Sequence, residues 1–113
     1  MRIISFAWTT NALLSGRKSV TRRTWKDCRI QPGELVQAYD KSPRFRGHPV
    51  AIIRVLSVSR ERLDCIDNTD EKLEGHLWGD AKGYIKAFLD SYPGMKASDN
   101  VWRIEFEVVS KFH

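Results

Sequence analysis

Residues 16–26 hold the densest group of charged and hydroxyl side chains in this 113-residue chain: Gly16, Arg17, Lys18, Ser19, Val20, Thr21, Arg22, Arg23, Thr24, Trp25 and Lys26. Five are basic, three carry hydroxyls and one is an indole. Arginine and lysine neutralise phosphates, hydroxyls add hydrogen bonds, and an indole stacks on a nucleobase for about 1–3 kcal/mol. Nucleic-acid or nucleoside contact is the functional reading of that mixture. A solvated run of charge on an edge strand, where basic side chains discourage aggregation, is the plainer one. The segment can also do covalent chemistry. A threonine hydroxyl becomes a nucleophile only when a neighbouring base takes its proton, and a lysine can be that base only if burial or nearby positive charge lowers its pKa. Arg17, Arg22 and Arg23 supply such charge around Lys18 and Thr21.

Two further places offer contacts to a base or phosphate. The stretch Asp40 to His48 carries Lys41, Arg44 and Arg46 with Phe45, which suits one wall of a nucleic-acid cleft and equally suits a solvated hairpin tip. Trp8 stands beside Thr9 and Thr10, where it can stack on a base or pack as a hydrophobic staple on the helix that follows. His48, His76 and His113 have no ligand spacing with Cys28 or Cys65, so neither a metal site nor a cofactor is expected.

The elements that must position these residues follow from local pattern. Arg2 to Phe6 reads as a short strand, Thr9 or Thr10 as the cap of a short helix through Ala12, Leu13 and Leu14, and Gly16 as its stop. The basic segment then forms a turn, and Pro32-Gly33 opens a strand over Glu34 to Tyr39. Val50 to Val58, rich in β-branched residues, is the expected central strand. Asp67 to Asp70 can cap a helix starting near Glu71. Tyr84, Ala87, Phe88 and Ser91 share one face of a helix within Asp80 to Tyr92. Val101 to Phe112 alternates, with Trp102, Ile104, Phe106 and Val108 on one face and Arg103, Glu105 and Glu107 on the other. Strands bracketing two helical regions imply a mixed, mostly antiparallel sheet curled into a small barrel with helices at its side.

With 42% hydrophobic and 29% charged residues, residues 1–113 suit one domain burying roughly two-thirds of its unfolded surface. No apolar run approaches the ~20 residues of a membrane span, and Met1 to Trp8 is too short for a secretory signal. Two cysteines without CxxC spacing suggest neither a zinc ribbon nor a disulfide framework, and a cytoplasmic setting is expected. The formal charge of +5 conceals a split: thirteen basic against four acidic residues up to Arg62, and six against ten after it. That pattern predicts a basic face with one acidic partner.

Gly16, Lys18, Thr21 and Arg23 reproduce the spacing GxKxxTxR, which resembles the signature of the ASCH domain family, a PUA-like group. The likeness extends over nearly the whole chain. It includes the N-terminal strand and Leu-rich helix, the Pro32-Gly33 turn, Glu74-Gly75, the Tyr92-Pro93-Gly94 helix end and the closing strand with Trp102 to Phe106. The resemblance implies an α+β fold, a PUA-like small mixed β-barrel with flanking short helices, and a basic cleft for RNA or a modified nucleoside. Some small bacterial ASCH proteins are amidohydrolases that remove the acetyl group from acetylcytidine; others are proposed to bind or cleave RNA.

In the amidohydrolase branch the catalytic group is a lysine, a threonine and a downstream glutamate, which carry over to Lys18, Thr21 and Glu74. His76 to Asp80 reads as an insertion relative to the family, which leaves Glu71 as an alternative acidic residue. The implied chemistry is attack on an amide carbonyl by Thr21, or by a water that Lys18 activates, with Arg23 or backbone amides steadying the oxyanion. The glutamate orients Lys18, shuttles a proton or holds the substrate's exocyclic amide. Arg17, Arg22, Arg23, Trp25, Arg44, Arg46 and Trp8 are the expected nucleoside or nucleic-acid contacts. Each residue also has a plainer use: Lys18 on phosphate or solvent, Thr21 in a turn, Glu74 as an exposed helix carboxylate, Arg23 on a structural carboxylate. A non-catalytic RNA-binding module is the second functional reading.

Overall fold

The computed structural model describes residues 1–112; His113, one of the three histidines lacking ligand spacing, lies outside the described residues. Five strands form one curled sheet, a half-barrel in the order β1-β3-β4-β5-β2. They are β1 (Arg2–Ser5), β2 (Val20–Arg23), β3 (Leu35–Tyr39), β4 (Pro49–Arg62) and β5 (Asn100–Lys111). β1 pairs parallel with β3 and every other pairing is antiparallel. β4 is central as expected, but it continues to Arg62, past the β-branched run, because it pairs with β5 from Ala51 to Arg62.

Three helices fill the connections: α1 (Thr10–Leu14), α2 (Asn68–Leu73) and α3 (Ala81–Ser91). Thr9 and Thr10, at the start of α1, act differently from the expected cap. The Thr9 hydroxyl donates to the Phe6 carbonyl at 2.7 Å and that of Thr10 to the Ala7 carbonyl at 2.6 Å, tightening a 3₁₀ turn over Ala7–Thr9. α2 has a reciprocal capping box between Asp67 and Asp70, which satisfies amides at both positions. α3 is capped by Asp80, whose carboxylate accepts from Gly83 N.

The first core lies within the half-barrel, where Ile4, Val36, Ile53, Val55, Ile104 and Phe106 meet Phe6 and Leu13. A second, smaller core joins Val101 to Leu63, Ile66, Tyr84 and Phe88 beneath α3. Val101 is therefore buried on the strand face opposite Ile104, so β5 serves two cores where simple alternation implied one. Trp102 is half-buried at the strand end, its indole N–H donating to the Trp25 carbonyl at 2.9 Å and Arg60 lying 4.9 Å from its ring. No helix among the described residues is long and apolar enough to cross a membrane.

Candidate active site

The two edge strands, β1 and β2, leave a seam in the half-barrel, and the candidate site occupies it. Arg23 spans the seam: its Nη2 donates to the Ser5 carbonyl at 2.8 Å while its Nε donates to Thr21 Oγ1 at 3.1 Å. The guanidinium lies 5.4 Å from the Phe6 ring centre. Thr21 and Arg23 share a face of β2 because alternate strand residues point the same way.

Lys18 and Glu74 are brought together by backbone. Gly16, at φ +82°, ends α1 and lets Arg17 and Lys18 donate their amides to the Ala12 carbonyl. Lys18 then forms an antiparallel bridge with Glu74, supported by Ser19 N donating to the Leu73 carbonyl at 2.8 Å. Gly75 permits that approach. Its φ is +121°, and a Cβ there would lie 2.9 Å from that of Ala12.

The resulting polar centre is buried. Lys18 is 4% exposed and Glu74 1%, with Lys18 Nζ donating to Glu74 Oε1 at 2.6 Å and to the Glu74 carbonyl at 3.2 Å. Glu74 Oε2 accepts from Arg22 Nη1 at 2.9 Å. Arg22 also donates through Nε to Glu61 Oε1 at 2.7 Å, and its Nη2 stands 3.0 Å from Asp70 Oδ1 as a charge contact without hydrogen-bond alignment. The single acidic partner expected from the charge split is thus three carboxylates around one arginine. It is Arg22, not Arg23, that takes the structural carboxylates.

Burial pushes Lys18 below the usual lysine range; Glu74 opposes that, and the charges of Arg23 and Arg22 add to it. Burial also works against the charge of Arg22, but Glu74 and Glu61 outweigh it and hold the guanidinium above its ordinary value. Burial lowers Arg23, against the pull of Glu74. Tyr84 is raised well above the ordinary tyrosine value by burial first and by the Glu74 charge second, so it stays a phenol.

Lys18, Thr21, Arg22, Arg23 and Glu74 line one cavity of about 200 Å³, walled by Phe6, Trp8, Trp78, Tyr84, Phe88 and Tyr92. That is below the 300–1,000 Å³ of drug-sized sites and suits a single ring with a small substituent. The helical stripe of Tyr84, Ala87, Phe88 and Ser91 forms one wall. Glu71, the alternative acid, is fully buried but elsewhere, its carboxylate bonded to His76 Nδ1 and to the Trp78 amide. Glu74 is buried at the end of α2, which removes its reading as an exposed carboxylate.

The other sequence-derived contacts are dispersed. Trp8 is 67% exposed, lines the cavity and packs edge-to-face on Trp78 at 5.4 Å, an arrangement different from a staple on α1. Trp25 is half-buried against the first core, and Arg17 is exposed with its Nε on Ser15 Oγ. Arg44 and Arg46 are exposed on the 3₁₀ turn after β3. Trp78 and Tyr84 were not legible as site residues: Trp78 sits in a segment without periodicity, and a Tyr-Ala-Phe-Ser stripe reads first as core.

No family model and no curated protein matches the chain by sequence. Solved structures do match it by shape. A protein from Enterococcus faecalis assigned to the DUF984 family model superposes with a TM-score of 0.78 at 16% identity, covering 98% of this chain and 77% of that one. An ASCH domain from Lactobacillus crispatus gives 0.78 at 14% identity, covering 96% and 80%. An ASCH protein from Zymomonas mobilis gives 0.65 at 13%, covering 94% and 68%. By this likeness in shape the chain has the fold of the ASCH-domain structures, a curled half-barrel sheet with short helices.

Proposed function

We propose that this chain is an ASCH-domain amidohydrolase that accepts an N-acylated pyrimidine nucleoside of the acetylcytidine type and releases the acyl group as a carboxylic acid. The observation that carries this reading is the buried Lys18 and Glu74 pair, lining the same small aromatic-walled cavity as a Thr21 hydroxyl that accepts from Arg23. A buried lysine flanked by arginines gives up its proton more easily than a free one, and a hydroxyl oxygen that accepts from a guanidinium carries developing negative charge at lower cost.

In the proposed reaction Thr21 Oγ bonds the acyl carbon and its proton passes to neutral Lys18 Nζ. The bond from the acyl carbon to the exocyclic nitrogen then breaks as Lys18 delivers that proton to the departing amine. Water cleaves the threonyl ester, releasing the acid and restoring Thr21. Glu74 orients Lys18, and Arg22 orients Glu74 by holding its second oxygen. Incubating the protein with acetylcytidine and following cytidine and acetate tests this reading. Stoichiometric appearance of both supports it, and no turnover contradicts it.

A second reading, binding of RNA without chemistry, is favoured by one feature. Trp8 also lines a shallow groove with Asn11, Asp40 and Lys41, next to the loop that exposes Arg44 and Arg46. Such binding would weaken as a power of salt concentration through counterion release.

A further inference from the structure

We propose that Trp78 is a specificity-determining wall of the cavity, stacking against the planar heteroaromatic ring of the ligand, and that buried Glu71 is the residue that positions it. This rests on the reading of the cavity as a nucleoside site. It concerns residues 76–80, the segment that the ASCH resemblance reads as an insertion.

Glu71 is an unusual investment for the fold. A fully buried carboxylate is tolerated only when its oxygens are satisfied, and here both go to one loop. Oε1 pairs with His76 Nδ1 and Oε2 accepts from the Trp78 amide at 3.1 Å, while the His76 amide donates to the Glu71 carbonyl at 3.0 Å. Neither Glu71 nor His76 lines the cavity, so the pair does not act on a ligand directly. What it holds is the main chain of Trp78, and through it the place from which the indole enters the wall.

The loop is shaped to be held. Gly75, His76 and Gly79 all have positive φ, at +121°, +57° and +87°, the histidine being a residue for which that region is strained. Ala81 N donates to Asn68 Oδ1 at 2.9 Å, closing the loop from its far side. Gly83 lets α3 start directly beneath it, since a Cβ there would lie 2.3 Å from the Trp78 carbonyl oxygen. The outcome is an indole in the cavity wall, edge-to-face with Tyr84 at 4.6 Å and with Trp8 at 5.4 Å. Aromatic walls attract any ligand with a flat π-face, so this one selects acylamino groups borne on a planar ring over aliphatic amides.

The test uses cytidine as a binding probe by calorimetry, and acetylcytidine as substrate, in the wild type, Trp78→Ala, Trp78→Phe, Glu71→Gln and the Glu71→Gln/Trp78→Ala double variant. Loss of one stacked ring predicts cytidine binding about tenfold weaker in Trp78→Ala, with near wild-type binding in Trp78→Phe. Under turnover, KM rises in Trp78→Ala while kcat holds within a few fold. Glu71→Gln weakens binding by less, and adds nothing once Trp78 is absent, because it acts through that indole. Should Glu71→Gln fail to fold, His76→Ala, an exposed side chain, probes the same link. Unchanged affinity in Trp78→Ala, or additive effects of the two substitutions, overturns the inference and leaves the hydrolytic reading standing. A wild type that binds cytidine but does not hydrolyse acetylcytidine overturns that hydrolytic reading alone, and the affinities still decide the role of Trp78. A wild type that binds neither compound overturns both.

Discussion

The Lys18 ammonium nitrogen and a Glu74 carboxylate oxygen lie 2.6 Å apart with both side chains out of water. The backbone of the two residues forms an antiparallel bridge, so the pair is fixed by chain geometry as well as charge. Removing one partner of a buried pair leaves the other uncompensated, at a cost of about 3–5 kcal/mol. Glu74→Ala is therefore expected to destabilise strongly in urea unfolding, because it strands both Lys18 and Arg22, whereas Glu74→Gln, which keeps an acceptor, should cost less.

In the proposed reaction Lys18 sets the pH dependence. Its folded pKa lies below the unfolded 10.5, chiefly through burial, so between the two values the unfolded chain binds more protons. This group's contribution to stability therefore increases as pH rises through that window, and the penalty is full below the folded pKa. The neutral amine that the proposed reaction requires is populated along the same limb. Measured kcat/KM against pH should rise on a limb with its midpoint below 10.5. Because Glu74 raises Lys18, that midpoint should move to lower pH in Glu74→Gln.

Thr21 separates chemistry from packing. Thr21→Val keeps the β-branched shape on β2 and removes the oxygen that Arg23 Nε contacts. Acyl release should vanish in Thr21→Val and persist, reduced, in Thr21→Ser. The loss of stability should stay at about 1–3 kcal/mol, the cost of leaving one partner of a hydrogen bond unsatisfied. Thermal unfolding alongside acetate release reads both.

Asp70 serves the fold twice, in the capping box of α2 and against Arg22. Partial burial raises its pKa, but the Asp67 amide and Arg22 outweigh this and hold it below the ordinary 3.8. The stability it contributes is present above 3.8 and lost as pH falls through the lower folded value. In urea melts from neutral to acidic pH, Asp70→Asn should be less stable than the wild type near neutrality, and the difference should narrow below that point.

Strand propensity located β3, β4 and β5, and Gly16 and Asp80 marked helix ends, because those signals are local. The motif spacing placed Lys18, Thr21 and Arg23 in one segment, but not the cavity, which needs Glu74 across the α1 junction and α3 folded over the seam. Arg22 and Arg23 are indistinguishable as neighbouring arginines. Only strand alternation and the positions of Glu61, Asp70 and Glu74 separate the buried ion-pair centre from the residue that contacts Thr21. Val101 was missed because a strand that feeds two cores defeats a one-face pattern.

Lys18 and Thr21 are proposed to cleave an N-acyl group from a pyrimidine nucleoside together. The most direct measurement is acetate release from acetylcytidine by the wild type, Lys18→Gln and Thr21→Val, each verified as folded by its melting transition. Turnover by the wild type and its loss in both folded variants is the expected result. Turnover that persists undiminished in either variant, or none in the wild type, would contradict it.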